Sequence, residues 1–341
     1  MRSAKRGREA RRAGDRDLLL REIEPTTSGG RRQPKVDLTQ HATRLHNNEE
    51  CTCETRSRKR VFQRVVAMYG QEDKDGCMSS FMRLKFEKEA AKHWNRFYKQ
   101  NQANFFKDRH YLEKEFDCLS QSSPAQDDSA TKKKGRNLLE VGCGVGNTVY
   151  PLLESHGDLY VHCCDFSQEA VRLVKEHDKY EQGKRVNAFV CDVTQDDLRE
   201  NVPERTVDLA TLIFVLSAIP PPKLGGAIEN VARTLRPGAR VLVRDYGSGD
   251  LAEERLGNKQ GSSRKLAEGY YIRGDGTFCV YFTEESLAGA FESRGDFVCE
   301  RIQMQHRVIE NRRKQVAMNR SWVQAVFKYS PGESEANHPG R

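Results

Sequence analysis

Three absences in this 341-residue sequence each remove a class of protein. No apolar run approaches the roughly 20 residues of a membrane-spanning helix, so no membrane is expected as partner. None of the ten cysteines pairs as Cys-x-x-Cys, and no finger-like pair of pairs exists, so no metal site is expected. A secretory signal is also lacking. Cys143, Cys163, Cys164 and Cys191 fall in or beside apolar runs, where a free thiol behaves as a small buried hydrophobe. The expected compartment is therefore reducing: cytoplasmic, with room for a nuclear pool. Glu9, Asp15, Asp17, Glu22 and Glu24 argue against mitochondrial import, because such presequences are poor in acid.

An even spread of charge is lacking too. The net charge is +8, but residues 1–60 hold 16 Lys/Arg against 9 Asp/Glu, a net of +7, which leaves +1 for the other 281. The excess is local, and by itself it does not establish a nucleic-acid ligand. With few aromatics, 1–60 reads as a disordered basic tail. Residues 61–116 read as a helical, aromatic extension, 117–135 as a linker, 136–329 as the main domain, and 330–341 as a second disordered tail. Within the extension, Lys85–Tyr98 has helical periodicity, with Phe86, Ala90, Trp94, Phe97 and Tyr98 on one stripe. Such a stripe suits packing on a domain behind it. Followed by Asn104-Phe-Phe-Lys-Asp-Arg-His-Tyr111, with Lys107, Arg109 and His110, it also suits base stacking and phosphate gripping.

From residue 137, strands and helices alternate. Nearly continuous apolar strands are expected at 137–141, 159–165, 186–192, 207–214 and 239–245. Helices are expected at 148–154, 168–181 and 224–235, then a mobile loop at 246–268. A helix at 284–293 and strands within 269–282, 297–305 and 322–329 close the domain. Strands apolar on both faces imply a mostly parallel twisted sheet covered by helices on both sides, an α/β Rossmann-like architecture.

Leu138-Leu-Glu-Val-Gly-Cys-Gly-Val-Gly-Asn147 joins the first strand to the first helix. Its Gly142-x-Gly144-x-Gly146 spacing is one residue shorter than the pyrophosphate-binding G-x-G-x-x-G. Glu140 stands where dinucleotide folds keep an apolar residue. A cofactor without phosphates but with a zwitterionic tail and a positive sulfur suits that loop, which points to S-adenosylmethionine. Asp165 ends the second strand 21 residues after Gly144, the distance expected of a carboxylate binding ribose hydroxyls. Asp192, beside Val193, ends the third and is placed to meet an adenine amino group. Each carboxylate alone could equally be a helix cap or a turn residue. Their coincidence with the glycines at three successive strand ends indicates a class I methyltransferase fold with an N-terminal helical lid.

Several motifs resemble those of the tRNA N3-methylcytidine methyltransferases. They are His93–Tyr98 with Asn104–Phe116, Leu139–Asn147, Leu212–Ile219, Leu242–Gly247, and Arg273–Thr277 with Tyr281-Phe282. The resemblance runs from about 79 to 329. It implies methylation of N3 of cytidine 32 in a tRNA anticodon loop, in a form closer to the branch serving threonine and arginine tRNAs. It leaves room for an aminoacyl-tRNA-synthetase-like accessory protein, with the chain itself expected to be a monomer. By the same resemblance Trp94, Tyr98 and Arg109 wall cofactor and base, and Arg109, Tyr98 and Ser217 form the catalytic set. The cofactor set adds Glu140, the three glycines, Asn147, Asp165, Phe166, Asp192, Val193 and Ile213. The RNA set comprises Lys107, Arg109, His110, Arg244, Tyr246, Arg273, Arg312, Arg313 and Lys314, and Asp208 is expected to be structural. For 307–320 a solvated loop and an RNA-backbone contact remain equal readings. A relative of the same fold acting on a protein or small molecule is the alternative enzyme. A silent RNA-binding module is the alternative outside enzymes, although its mark would be a damaged cofactor loop.

Overall fold

Period-two alternation along each strand sends neighbouring side chains to opposite faces of a sheet. Leu138, Leu209, Leu242 and Val326 join one hydrophobic cluster, whereas Leu139, Ala210, Val241 and Ala325 join another. Both faces are therefore apolar, which explains the continuous hydrophobic strands. A computed structural model describes residues 48–70, 78–120, 135–181, 183–257, 264–311 and 316–332. The main strands are β1 (Arg136–Val141), β2 (Leu159–Asp165), β3 (Val186–Val190), β4 (Val207–Ile213) and β5 (Leu235–Tyr246). Short strands β6 (Lys265–Ala267), β7 (Tyr270–Ile272) and β8 (Phe278–Val280) follow, and a hairpin of β9 (Phe297–Asn311) and β10 (Val316–Tyr329) ends the domain. Seven strands form one sheet in the order β3-β2-β1-β4-β5-β10-β9, and β6 to β8 form a separate antiparallel sheet. In the large sheet the first five strands are parallel, and β10 lies antiparallel between β5 and β9. This is the class I methyltransferase fold. Strand order reverses between β1 and β4, where such sheets open a crevice at the carboxyl ends of their strands.

Among the described residues, five α-helices come before β1: α1 (Asn48–Gly70), α2 (Ser80–Lys88), α3 (Ala90–Asn101), α4 (Leu112–Glu115) and α5 (Asp117–Ser120). Among the strands lie α6 (Val149–Ser155), α7 (Gln168–Lys175), α8 (Pro221–Thr234), α9 (Leu251–Gly257) and α10 (Glu284–Glu292). Side chains of α1, α8 and α10 share one cluster with the small sheet, and those of α4 to α7 share the other. Among the described residues no helix is long and apolar enough to cross a membrane. Cys143, Cys163, Cys164 and Cys191 are buried and free.

The departures from sequence expectation have physical causes. A helix is present from Asn48, the first described residue, inside the segment expected to be a disordered tail. Phe62 and Tyr69 of α1 are buried, and Arg58 Nη1 reaches Glu292 of α10 at 3.2 Å. A Cβ at Gly289 would lie 2.2 Å from Arg58 O, so glycine lets the two helices touch. Burying each aromatic ring contributes roughly 1.5–3 kcal/mol, which a polar composition does not reveal. The single helix expected over 85–98 is broken at Glu89, whose φ of −96° and ψ of 5° are not helical. The 246–268 loop contains α9, and 117–120 of the expected linker is helical. Of the segment 307–320, residues 307–311 and 316–320 pair in the β9–β10 hairpin, which extends past the last β5 pairing at Tyr246, and 312–315 lie outside the described residues. Residues 1–47, most of the linker and 333–341 lie outside the described residues.

Candidate active site

After β1 the chain reverses through Gly142, Gly144 and Gly146, with φ of 68°, 55° and 91°. A Cβ at 142 would meet Val215 Cγ2 at 2.4 Å, and one at 144 would meet Tyr98 Oη at 2.9 Å. Left-handed backbone and close neighbours both demand glycine here. The loop is tied to β2: Cys143 N–H donates to Cys164 O at 2.9 Å and Gly144 N–H to Asp165 Oδ2 at 3.0 Å. Ser167 N–H donates to the other oxygen, Oδ1, at 2.9 Å. Burial pushes the Asp165 carboxyl up to about 6, against the pull of these two donors.

A cavity of about 550 Å³ opens over this loop. Gly142, Asp165 and Phe166 form its floor; Cys191, Asp192, Val193, Thr194 and Gln195 line its far end. Leu84, Ala90, Trp94 and Tyr98 cover it, so α2 and α3 are a roof over the strand ends. Tightly approachable backbone, one carboxylate near the loop and a far end that sets Asp192 beside apolar Cys191 and Val193 suit an extended zwitterionic nucleoside, and the residues fit S-adenosylmethionine. Asp192 lines the cavity and also closes a turn, accepting from Thr194 N–H at 3.0 Å, Thr194 Oγ1 at 2.7 Å and Gln195 Nε2 at 2.6 Å. Turn and lining roles coincide there.

A smaller chamber of about 40 Å³ shares Trp94, Tyr98, Gly142 and Phe214 with the first. Phe106, Arg109, Asn147, Ile213, Tyr246 and Arg273 help to complete its wall. Arg109, 7% exposed, donates from Nη1 to Thr148 Oγ1 at 3.0 Å and stands 5.7 Å from the Phe214 ring centroid. Asn147 fastens the aromatic block to the loop: its carbonyl accepts from Arg109 N–H at 2.9 Å, and its Nδ2 donates to Asp108 Oδ1 at 3.0 Å. Opposite, Arg96 Nη2 donates to Asp275 O at 2.8 Å, and His93 packs where a Cβ on Gly276 would sit 2.5 Å from it. These contacts pin α3 to the 273–277 turn. The aromatic stripe packs on the domain, as Phe97 does on Phe105, while Trp94 and Tyr98 also line the cavities.

Several expected site residues stand elsewhere. Glu140 lines neither cavity. Alternation in β1 turns it to the Leu138 face, where it accepts a bond from Thr211 Oγ1 and burial pushes its carboxyl up to about 7. It lies beneath the loop, not against a cofactor. Ser217 is fully buried and also lines neither cavity; its N–H donates to Asp245 Oδ2 at 2.9 Å. That bond makes it a support of the β5 end instead of a group touching substrate. Arg244, expected to grip RNA, is 5% exposed. Its Nη1 donates to Gln324 Oε1 at 2.5 Å and lies 3.8 Å from Glu115, with the Tyr111 and Trp322 rings beside it. Committed to those partners, it joins the aromatic block to β10. Lys107 and His110 are exposed and flank Arg109 without lining a cavity. Arg312, Arg313 and Lys314 lie outside the described residues. Asp208 has a structural place, accepting from Asn137 N–H at 2.7 Å and pairing with Arg236 at 2.7 Å.

Phe214 walls both cavities, and the sequence offered it only as part of the Leu212–Ile219 motif, not as a named site residue. Its φ of 58° is unusual for a bulky residue, a strain that tends to gather at functional sites. Beyond that motif, no pattern in the sequence singles it out. Thr194, Gln195 and Lys223, which line the larger cavity, were missed because they follow the strand ends without a motif.

A methyltransferase-domain family model matches residues 139–241. The tRNA N(3)-methylcytidine methyltransferase trm141 of Schizosaccharomyces pombe is 41% identical over 251 residues, covering 74% of this chain and 97% of that one. The tRNA N(3)-cytidine methyltransferase METTL6 of Homo sapiens is 40% identical over 256 residues, covering 74% and 85%. METTL2 of Danio rerio, of the same description, is 38% identical over 271 residues, covering 71% and 74%. Glycine loop, strand-end carboxylates, aromatic roof and these likenesses agree: the chain belongs to the tRNA N(3)-cytidine methyltransferases, S-adenosylmethionine-dependent enzymes of the class I fold.

Proposed function

We propose that this protein methylates N3 of cytidine in tRNA, at position 32 of the anticodon loop. The observation that carries the reading is the shared wall of the two cavities. A cofactor over the glycine loop and a base beside Arg109 and Arg273 would meet at Trp94, Tyr98 and Phe214. Bound S-adenosylmethionine supplies a methyl group on a positively charged sulfur. Cytosine N3 carries a lone pair at neutral pH, so no residue has to remove a proton before attack. The chain's work is then alignment and electrostatics. N3 lies on the Watson–Crick edge, so the base has to leave any stack, which suits a loop nucleotide held between aromatic faces.

Tyr246 and Phe214, packed on each other with ring centroids 5.0 Å apart, supply one such wall for the base to lie against. Arg273 is 5% exposed and donates from Nη2 to Phe278 O at 3.0 Å, while its buried Nε has no hydrogen-bond partner among the described residues. A donor left unmet at a chamber wall is costly unless a ligand takes it, and the cytosine O2 carbonyl is a suitable acceptor. Arg109 adds positive charge against the phosphate or carbonyl of the entering nucleotide. Behind them Asp245, which burial pushes up to about 6, accepts from the Ser217 and Tyr246 N–H groups. It holds Tyr246 in place and offers negative charge toward a cationic product.

The test is nucleoside mass spectrometry of tRNA after incubation with protein and S-adenosylmethionine, with and without cell extract. We expect 3-methylcytidine, and its loss from transcripts carrying uridine at position 32. Separate threonine and arginine transcripts test the proposed isoacceptors, and the extract arm tests for an accessory protein. Failure of every tRNA under both conditions overturns the function. Methylation of a protein or small molecule instead would support the alternative enzyme.

A further inference from the structure

The inner face of α1 is occupied: Phe62 and Tyr69 are buried, and Arg58 is paired with Glu292 and Glu54. Its outer face is not. Arg56, Arg60 and Arg64 are exposed, and none makes an ion pair with a described residue. From Arg56 to Gly70 the sequence holds four arginines and a lysine and no acid, although the chain beyond residue 60 is almost neutral. Arginines four apart rise about 6 Å per step along a helix and share one face. They form a short ladder of positive charge with a regular step.

The ladder is aimed at the active site. At its end the Tyr69 ring packs 5.2 Å from Tyr270, and the Tyr69 hydroxyl donates to Glu87, which lines the cofactor cavity. Along the helix axis Arg64 stands roughly 8 Å and Arg56 roughly 20 Å from Tyr69. We propose that Arg56, Arg60 and Arg64 hold the phosphate backbone of the substrate RNA several nucleotides away from the reacting base, in the stem and not the loop. This rests on the tRNA reading above. Phosphates supply the complementary charge, and contacts of this kind fix register without reading sequence. An anionic membrane fits less well, because α1 turns its apolar side inward and has no hydrophobic face left to insert.

The test uses the full chain carrying R56E/R60E/R64E, alongside the neutral R56Q/R60Q/R64Q. Binding of whole tRNA and of an isolated anticodon stem-loop is measured by fluorescence anisotropy across a salt series. Each lost phosphate contact should lower the slope of log affinity against log salt by about 0.7 to 0.9, so removing three lowers it by roughly 2. We expect charge reversal to weaken whole tRNA and the stem-loop, which keeps the stem phosphates, by at least about tenfold, and the neutral set to weaken both less. The kcat at saturating tRNA, S-adenosylhomocysteine binding and Tm should stay at wild-type values. An unchanged slope in both variants overturns the ladder. So does a loss confined to phosphatidylserine vesicles with tRNA binding intact. Wild-type protein that methylates tRNA while the variants bind normally sinks only this inference; wild-type protein that neither binds nor methylates tRNA sinks the function as well.

Discussion

The two cavities meet at shared walls but are built in different ways. The cofactor cavity takes its floor from one loop and two strand ends, joined largely by backbone hydrogen bonds such as Cys143 N–H to Cys164 O. The smaller chamber, proposed for the substrate, draws Arg109, Asn147, Phe214, Tyr246 and Arg273 from five separate segments. Those segments are held by side-chain clamps: Asn147 to Asp108, Arg96 to Asp275, and Glu115 to the hairpin. Glu115 accepts from Gln305 Nε2 at 3.0 Å and pairs with Arg307 at 3.4 Å, and its carbonyl accepts from Arg301 and Gln324. Backbone bonds of a central sheet break only with the fold, whereas a clamp can be removed singly. The two sites should therefore fail separately.

The largest effect should come from Asp165→Ala. It removes the acceptor for the Gly144 and Ser167 N–H groups together with the carboxylate on the cavity floor. S-adenosylhomocysteine affinity should fall at least about 100-fold by calorimetry, since buried charge-assisted bonds are each worth roughly 1.5–3 kcal/mol. Near-normal affinity would remove Asp165 from the site. Arg109→Ala should break the other half alone, lowering kcat by about 10²-fold while cofactor affinity holds. Parallel losses would mean that the two halves are not separable.

Arg244→Ala probes a clamp. It leaves Glu115 without the guanidinium that faces it from inside the structure, at a cost of about 3 kcal/mol, read as a lower chemical-denaturation midpoint. If stability is unchanged but RNA affinity falls, Arg244 grips substrate after all.

A smaller effect is expected from pH. The Asp165 and Asp245 carboxyls, pushed up to about 6, and Glu140, pushed to about 7, bind protons more tightly folded than unfolded. The cofactor-free protein should therefore lose stability as pH rises from about 4 to about 7, and level off above that. Cofactor binding should run the other way, because hydroxyl donors favour ionised Asp165. Affinity should strengthen as pH rises through about 6, and Asp165→Asn should flatten that profile. A wild-type profile that is already flat would separate Asp165 from the ribose.

The difference in construction also explains which half of the site is legible in the sequence. Local contacts leave local signals: three glycines at fixed spacing, and carboxylates closing β2 and β3, mark the floor and far end of the larger cavity. Glu140 departs from expectation by a single layer, since alternation in β1 decides whether a side chain meets the cavity or the core beneath it. Arg244 departs for a deeper reason. A strand-end arginine reads the same whether it faces RNA or Glu115, and its partners lie some 80 and 130 residues away in the chain. Phe214 is marked by no more than its motif, because backbone strain is invisible in a residue's name.

By itself the sequence determined the alternation that makes a parallel sheet, the loop that admits S-adenosylmethionine, and the motif set of a tRNA methyltransferase. Those properties depend on neighbours within a few residues or on strand ends that any such sheet brings together. Only the tertiary structure decided that helical order reaches back to Asn48, that Glu140, Ser217 and Arg244 support the site from below, and which groups wall the substrate chamber. Each of these turns on a long-range contact, and a side chain's role is set by whatever packs against it.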